Sequence, residues 1–160
     1  MTKQPRVSTC LWYDDTAEAA AEFYVSLLPN SRIVSVMRYG PGGRMPEGLA
    51  MLVRFELDGV PFGALNGGPV FPPSEAASIV VACDTQDEID RLWTALTAHG
   101  GKASQCGWLK DRFGVSWQII PAMLAPIMEA GDEAVLARVM GAIMPMTKIE
   151  ISKLEAAREG

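Results

Sequence analysis

The feature that most constrains the fold is an internal repeat. Residues 8–15 (STCLWYDD) are apolar and strand-like, and residues 16–28, rich in Ala, Glu, Phe and Leu, are typical of a helix. Residues 78–84 (SIVVACD) repeat the strand, and residues 86–99 repeat the helix after Thr85, its expected cap. The first helix is expected to be capped by Asp14, Asp15 or Thr16. A chain with this repeat is expected to form two similar modules.

Each predicted helix is followed by three predicted strands. Those of the first half are residues 32–39, 49–57 and 60–66, with Asp58-Gly59 as a tight turn. Those of the second half are residues 102–106, 108–110 and 115–120, with Asp-Arg-Phe-Gly at 111–114 as a four-residue turn. The order strand-helix-strand-strand-strand therefore occurs twice. We predict an α+β fold of two tandem βαβββ modules.

The two hairpins predict which side chains share a face. With Asp58-Gly59 as the turn, Phe55 lies opposite Phe62, and Arg54 lies opposite Gly63. With residues 111–114 as the turn, Trp108 is expected opposite Trp117, and Gly107 opposite Gln118. Each module would then place an aromatic pair under its helix. Lys110, Asp111 and Arg112 are expected to form an exposed charged turn.

Charge and hydropathy exclude several classes of protein. The net charge is −5, and the 14 Lys and Arg residues are scattered, whereas a nucleic-acid surface needs clustered cations. Anionic membranes are disfavoured for the same reason. No stretch approaches membrane-spanning length, and no apolar run follows the N-terminal charges as it does in a signal peptide. We therefore expect a soluble, cytoplasmic protein.

Cysteine and histidine offer little for a metal site. Cys10, Cys83 and Cys106 lack CxxC spacing, so three reduced and mostly buried thiols are expected. His99, the only histidine, precedes Gly100-Gly101 and is expected at the end of the second helix.

The composition changes after Pro121. Residues 123–128, 133–144 and 149–158 have helical spacing, and the first two segments are rich in Ala and Met. We expect residues 1–121 to form one domain, with modules at about 6–66 and 77–121. Residues 122–160 are expected to be a helical extension that covers a sheet edge or a partner subunit.

The chain resembles the PhnB-like proteins in three segments, LWYDDTAEAAAEFYVSLLPNSRI, FGALNGGP and CGWLKDRFGVSWQIIP. These proteins belong to the glyoxalase, bleomycin-resistance and extradiol-dioxygenase superfamily, also called vicinal oxygen chelate. The resemblance covers roughly residues 7–121, and MPMTKIEISKLEAA near the C-terminus is also similar. It implies two βαβββ half-barrels, each with a concave ligand-binding face, in a homodimer.

Members of this family often carry the name 3-demethylubiquinone-9 3-methyltransferase. A nucleotide-like cofactor needs a glycine-rich turn between a strand and a helix, and this sequence has none. We therefore predict no cofactor.

Metal-dependent relatives use four ligand positions, one on the first and one on the last strand of each module. The resemblance carries these positions onto Ser8, Gly63, Ser78 and Gln118. Two hydroxyls, one neutral amide and a position with no side chain are a poor donor set for a divalent transition metal, which prefers imidazole, thiolate or carboxylate. We predict no metal site.

Strand alternation predicts a cavity of apolar and hydrogen-bonding groups, the usual composition of an organic-ligand site. The side chains expected to face it are Ser8, Cys10, Trp12, Leu52, Arg54, Glu56, Leu65, Ser78, Leu109, Ser116 and Gln118. Two readings of Arg54 stay open, a contact for a ligand anion and a salt bridge with Glu56 or at the rim. Trp12 either stacks on a planar ligand or lies in the core.

The first functional hypothesis is a metal-free, homodimeric protein that binds a small organic molecule and sequesters it, as bleomycin-resistance relatives do. The alternative is an enzyme, either a metal-dependent lyase, isomerase or dioxygenase with a displaced site or a methyltransferase. No catalytic residue is assigned, because Ser8, Ser78 and Ser116 have no histidine to activate them. A third hypothesis is an interaction module whose dimer surface is the functional part.

Overall fold

A computed structural model describes residues 5–160. The chain divides into two compact units, with the boundary between Pro73 and Ser74. Each unit contains one four-stranded sheet and one helix in the order βαβββ, and the second unit also contains the C-terminal helices. The predicted α+β fold of two tandem modules is therefore confirmed.

The first module follows the predicted order closely. Its elements are β1 (Thr9–Tyr13), α1 (Ala17–Leu27), β2 (Arg32–Arg38), β3 (Ala50–Leu57) and β4 (Val60–Asn66). The strand order is β1-β4-β3-β2, with β1 parallel to β4 and the other pairs antiparallel.

The first hairpin has the predicted register. Arg54 pairs with Gly63, and Phe55 pairs with Phe62 across the Asp58-Gly59 turn. The Phe55 and Phe62 rings are stacked with centroids 5.4 Å apart, and Tyr24 of α1 lies over Phe55 at 6.3 Å. The aromatic pair is therefore packed under the helix. The opposite face, which we call the open face of the module, carries Arg54 and Gly63.

The N-terminus of α1 is capped by a residue distant in sequence. Thr16 is at the N-cap position, but its side chain forms no capping hydrogen bond. The Ala17 amide instead donates to Asn66 Oδ1 at 2.8 Å, and Asn66 Nδ2 donates to the Ala50 carbonyl. Asn66 is fully buried, so both bonds are shielded from water. The expectation of a side-chain cap from residues 14–16 was wrong.

The second module has the same topology. Its elements are β5 (Ser78–Cys83), α2 (Gln86–Thr97), β6 (Lys102–Ala103), β7 (Trp108–Lys110) and β8 (Ser116–Pro121), in the sheet order β5-β8-β7-β6. Thr85 caps α2, since its side chain accepts from the Glu88 amide at 3.2 Å. His99 lies in a short 3-10 turn directly after α2 and is exposed.

The register of the second hairpin differs from the prediction by one residue. Leu109 pairs with Trp117, and Trp108 pairs with Gln118. Residues 111–115 connect the two strands instead of residues 111–114. Within this loop the Asp111 amide donates to the Val115 carbonyl, and Gly114 adopts the left-handed conformation, with φ of +86°. Trp108 therefore lies on the open face of the second module. Leu109, expected on that face, is buried opposite Trp117 under α2.

Gly107 was expected opposite Gln118 and occupies a different position. Its carbonyl accepts from the Ile119 amide at 2.8 Å, and its amide donates to Thr147. A Cβ atom at residue 107 would lie 2.7 Å from the Ile119 carbonyl oxygen and 2.9 Å from Ile149 Cδ1. This position therefore requires glycine.

Asp111 organises the loop from inside the protein. It was expected to be exposed, but only 3% of its surface is accessible. Oδ1 accepts the amides of Phe113 and Val115 at 2.8 and 3.1 Å, and Oδ2 accepts the Trp117 indole N–H at 2.8 Å. The carboxylate thus binds both the loop backbone and the largest side chain of the core.

Three C-terminal helices complete the second unit, α3 (Leu124–Ala130), α4 (Glu133–Ile143) and α5 (Ile151–Glu159). They form an apolar cluster that includes Val139, Ile149 and Leu154, and Ile120 of β8 packs against it. The amides of Cys106 and Gly107 donate to the carbonyls of Met146 and Thr147. The extension therefore packs on the second module. Within the described part of the chain, no helix is long and apolar enough to cross a membrane.

The Asp111 contacts predict a stability effect. In an Asp111→Asn variant one carboxylate oxygen becomes an NH2 group, which cannot accept, so at least one buried N–H loses its partner. We expect the free energy of unfolding to fall by about 2–3 kcal/mol. Asp15→Asn, at an exposed position, should change it by less than about 0.5 kcal/mol. Urea denaturation measures both variants, and equal effects would contradict the role given to Asp111.

Candidate functional site

The open face of the first module contains a groove of about 220 Å³. Four predicted site residues line it, Ser8, Cys10, Arg54 and Glu56, together with Leu52 and Gly63. Their placement follows from the sheet register, because Cys10, Gly63 and Arg54 are neighbours across β1, β4 and β3. The sequence pattern therefore brings these side chains together as expected. Their assignment as ligand contacts stays a prediction.

The carboxylate of Glu56 is paired within the protein. Arg32 Nε donates to Glu56 Oε2 at 2.8 Å across the β2–β3 ladder. This hydrogen bond, with smaller effects from the charges of Arg32 and Arg54, lowers the pKa of Glu56. The side chain therefore stays ionised at neutral pH and is a poor general base.

Trp12 and Leu65 lie on the same open face but outside the groove. The Trp12 indole N–H donates to the Gly68 carbonyl at 2.9 Å, and its ring meets the edge of Phe71 at 5.0 Å. A Cβ at residue 67 would lie 2.1 Å from the Trp12 ring, so Gly67 crosses directly over it. The chain segment after β4 therefore covers the aromatic platform that the sequence suggested for a ligand.

In the second module, Ser78, Ser116 and Gln118 share the open face. Ser78 pairs with Ser116 between β5 and β8, and Gln118 lies two residues further along β8. Gln118 Nε2 donates to Ser78 Oγ at 2.8 Å. Ser116 Oγ is buried and has no hydrogen-bond partner among residues 5–160.

A larger cavity, of about 550 Å³, lies on this face beside β6 and β7. Ser116 lines it together with Glu75, Lys102, Trp108 and Lys110. Of the residues that line this cavity, the sequence predicted that Leu109 and Ser116 face a cavity, and it missed Trp108 because the wrong register placed Trp108 under the helix. The available signal was strand alternation, because it places Trp108 on the same face as the charged Lys110.

The four positions that metal-dependent relatives use do not provide a metal site here. Gly63 offers no donor atom, and Ser8 offers one hydroxyl. In the second module Gln118 Nε2 donates to Ser78 Oγ, and the donors available to a metal ion are the neutral Gln118 amide oxygen and the Ser78 hydroxyl. Among residues 5–160, no group of three or more His, Cys, Asp or Glu side chains could hold an ion. The donor set does not fit a divalent transition metal.

Another cavity, of about 670 Å³, lies between α2 and the C-terminal extension. Its charged side chains are already paired, Lys148 with Asp90 and Lys153 with Glu150. Gln86 attaches the C-terminal extension there, since its Nε2 donates to the Ile149 carbonyl and its Oε1 accepts from the Ile151 amide. This region thus has a structural role in attaching the last helix.

Two of the thiols have raised pKa values. Cys83 is fully buried, and the loss of solvation, with a smaller effect from the charge of Glu88, raises its pKa to about 12. Partial burial of the Cys10 thiol in the groove raises its pKa as well. Cys10 is exposed as a residue, which corrects the expectation of mostly buried thiols. Neither thiol is activated as a nucleophile.

Comparison with known proteins identifies relatives. Residues 5–120 match the family model described as 3-demethylubiquinone-9 3-methyltransferase, which ends before α3. The solved structure of the PhnB protein from Bacillus cereus is 33% identical, with a TM-score of 0.69. The likeness covers 74% of this chain and 100% of that chain. The search of curated protein sequences gave no match.

More distant solved structures share the fold. A protein from Pseudomonas aeruginosa is 21% identical, with a TM-score of 0.61, over 74% of this chain and 98% of that chain. The fosfomycin resistance protein FosX from Listeria monocytogenes, in complex with Mn(II) and sulfate, is 11% identical, with a TM-score of 0.52. That likeness covers 81% of this chain and 98% of FosX. At these identities the comparisons support the fold alone.

The thiol environments predict an order of chemical labelling. A raised pKa means a smaller thiolate fraction at a given pH, so at about pH 8 Cys10 should react with iodoacetamide more slowly than free cysteine. Its rate should rise as the pH approaches the raised pKa. Cys83 should remain unlabelled in the native protein and become labelled in urea. Peptide mass spectrometry measures each site, and native labelling of Cys83 at the rate of Cys10 would contradict the burial described.

Proposed function

The chain belongs to the 3-demethylubiquinone-9 3-methyltransferase family of PhnB-like proteins in the vicinal oxygen chelate superfamily, and from this premise we propose that it is a homodimeric protein that binds a small organic molecule without a metal ion. The hydrogen bond between Gln118 and Ser78 carries this proposal. It joins two of the four positions at which metal-using relatives have ligands. A metal ion at these positions would gain only the Gln118 amide oxygen and serine hydroxyls, which are weak neutral donors.

The cavities support an organic ligand. The open faces of the two modules carry cavities of about 220 and 550 Å³, and the larger lies within the range of small-molecule sites. Both combine apolar surface with a few hydrogen-bonding groups, which is the composition expected for orientation-specific binding of an organic molecule.

The homodimer follows from the family resemblance and is supported by exposed apolar side chains. Met128 and Met144 of the extension are 63% and 61% exposed, and Met37 of the edge strand β2 is 50% exposed. Light scattering coupled to size-exclusion chromatography is expected to give twice the mass of the chain. A monomer mass over the accessible concentration range would remove this part of the proposal.

The enzyme hypothesis rests on the family name. The turns between β1 and α1 and between β5 and α2 contain no glycine, so neither has the backbone approach that a nucleotide-like cofactor needs. Calorimetry with S-adenosylmethionine should therefore give no binding heat. Binding with a micromolar dissociation constant would favour the methyltransferase.

The absence of metal dependence is directly measurable. We expect elemental analysis of the protein, purified without chelator, to give transition metal well below one ion per subunit. Addition of EDTA should leave the thermal melting temperature unchanged, because no ion contributes to folding. One ion per subunit, or a fall in melting temperature on chelation, would overturn the metal-free proposal. A thermal-shift screen of organic compounds, run on the same preparation, tests ligand binding itself.

A further inference from the structure

The buried hydroxyl of Ser116 indicates that the cavity of the second module is built for a polar group. Ser116 is 1% exposed, lines the cavity and has no hydrogen-bond partner for Oγ among residues 5–160. A buried polar atom without a partner is destabilising, and such atoms are uncommon in native proteins. A ligand that hydrogen-bonds to Oγ would remove this cost.

Two lysines lie beside Ser116 on the neighbouring strands of the sheet. The sheet register places Lys102, Lys110, Ser116 and Ser78 side by side across β6, β7, β8 and β5. We call these four residues the lysine row. Three members of the lysine row line the cavity, Lys102, Lys110 and Ser116. Neighbouring strands are about 4.8 Å apart, so these three side chains are within reach of one ligand group.

The charge of the row is only partly compensated. Lys110 Nζ binds Glu75 Oε1 at 2.7 Å, whereas Lys102 forms no ion pair with any residue in the described range. Directly opposed like charges destabilise a sheet. A lysine on the edge strand β6 has a known role against strand association, but Lys110 lies on the interior strand β7, where that explanation does not apply. The arrangement therefore favours an anion.

The next row of paired residues on the open face is suited to a flat apolar part of a ligand. Trp108, Gln118 and Val80 pair across β7, β8 and β5, two residues along from the lysine row on the same face. That offset is about 6.7 Å along a strand. Trp108 lines the cavity and is half-buried, and an indole face offers both contact area and stacking.

We propose that this cavity binds an organic anion, with its carboxylate or phosphate group on the lysine row and a flat apolar body against Trp108. The proposal rests on the proposed function and adds the chemical class of the ligand. Lys102 supplies the uncompensated positive charge, Lys110, which is paired with Glu75, supplies N–H donors, and the Ser116 hydroxyl donates a hydrogen bond. The volume of about 550 Å³ accommodates a ligand with one or two rings.

The test uses two matched pairs of probes, 2-naphthoate with 2-naphthamide and 2-naphthyl phosphate with 2-naphthol, titrated calorimetrically into the full chain. At least one anion should bind more tightly than its neutral partner, and the better of the two identifies the head group. Lys102→Gln should weaken anion binding about tenfold and leave neutral binding unchanged. Ser116→Ala should weaken the anion selectively, and Trp108→Leu should weaken both members of each pair.

Lys153→Gln is the matched control, because Lys153 is an exposed lysine of the same unit that lies outside this cavity. This variant should leave all affinities unchanged. Circular dichroism establishes that each variant is folded. Equal affinities within both pairs, no binding by either anion, or equal effects of the two lysine variants would overturn the inference. If only neutral compounds bind, the proposed function stands and this inference fails. Stoichiometric metal would instead count against the proposed function.

Discussion

One carboxylate, that of Asp111, binds two backbone amides and the Trp117 indole at the turn of the second hairpin. Because these donors come from the loop and from β8, the contacts fix where β8 begins relative to β7. The resulting register places Leu109 and Trp117 in the core and Trp108, Lys110, Ser116 and Gln118 on the open face. The chemistry of the cavity therefore depends on a buried group that does not line it.

The two modules share a topology but present different open faces. In the first, Arg32 neutralises Glu56, and the segment with Gly67 and Gly68 covers Trp12, which leaves a narrow groove. In the second, a lysine row and an indole line a cavity more than twice as large. In both modules, the positions at which metal-dependent relatives have ligands are occupied by a glycine, serines or a glutamine. The same topology therefore presents a different set of side chains on the open face of each module.

The sequence predicted most of what local rules determine. The βαβββ order follows from periodicity and turn residues, and Asp58-Gly59 determines the first register because a two-residue turn allows few alternatives. The register of the second hairpin could not be predicted from the turn residues, because the loop length depends on the buried side chain of Asp111. The Asn66 cap of α1 was missed for a related reason, as 49 positions separate it from Ala17. Long-range hydrogen bonds leave no periodic signal in a sequence.

We propose that the open face of the second module is an anion site and not a metal site. A crystal structure of the protein grown with 2-naphthyl phosphate and with added Mn²⁺ tests it most directly. We expect the phosphate group within hydrogen-bond distance of Lys102 Nζ and Ser116 Oγ, the rings against Trp108, and the Gln118–Ser78 hydrogen bond intact. Manganese coordinated by Gln118 or Ser78, or Trp108 packed in the core opposite Trp117, would contradict it.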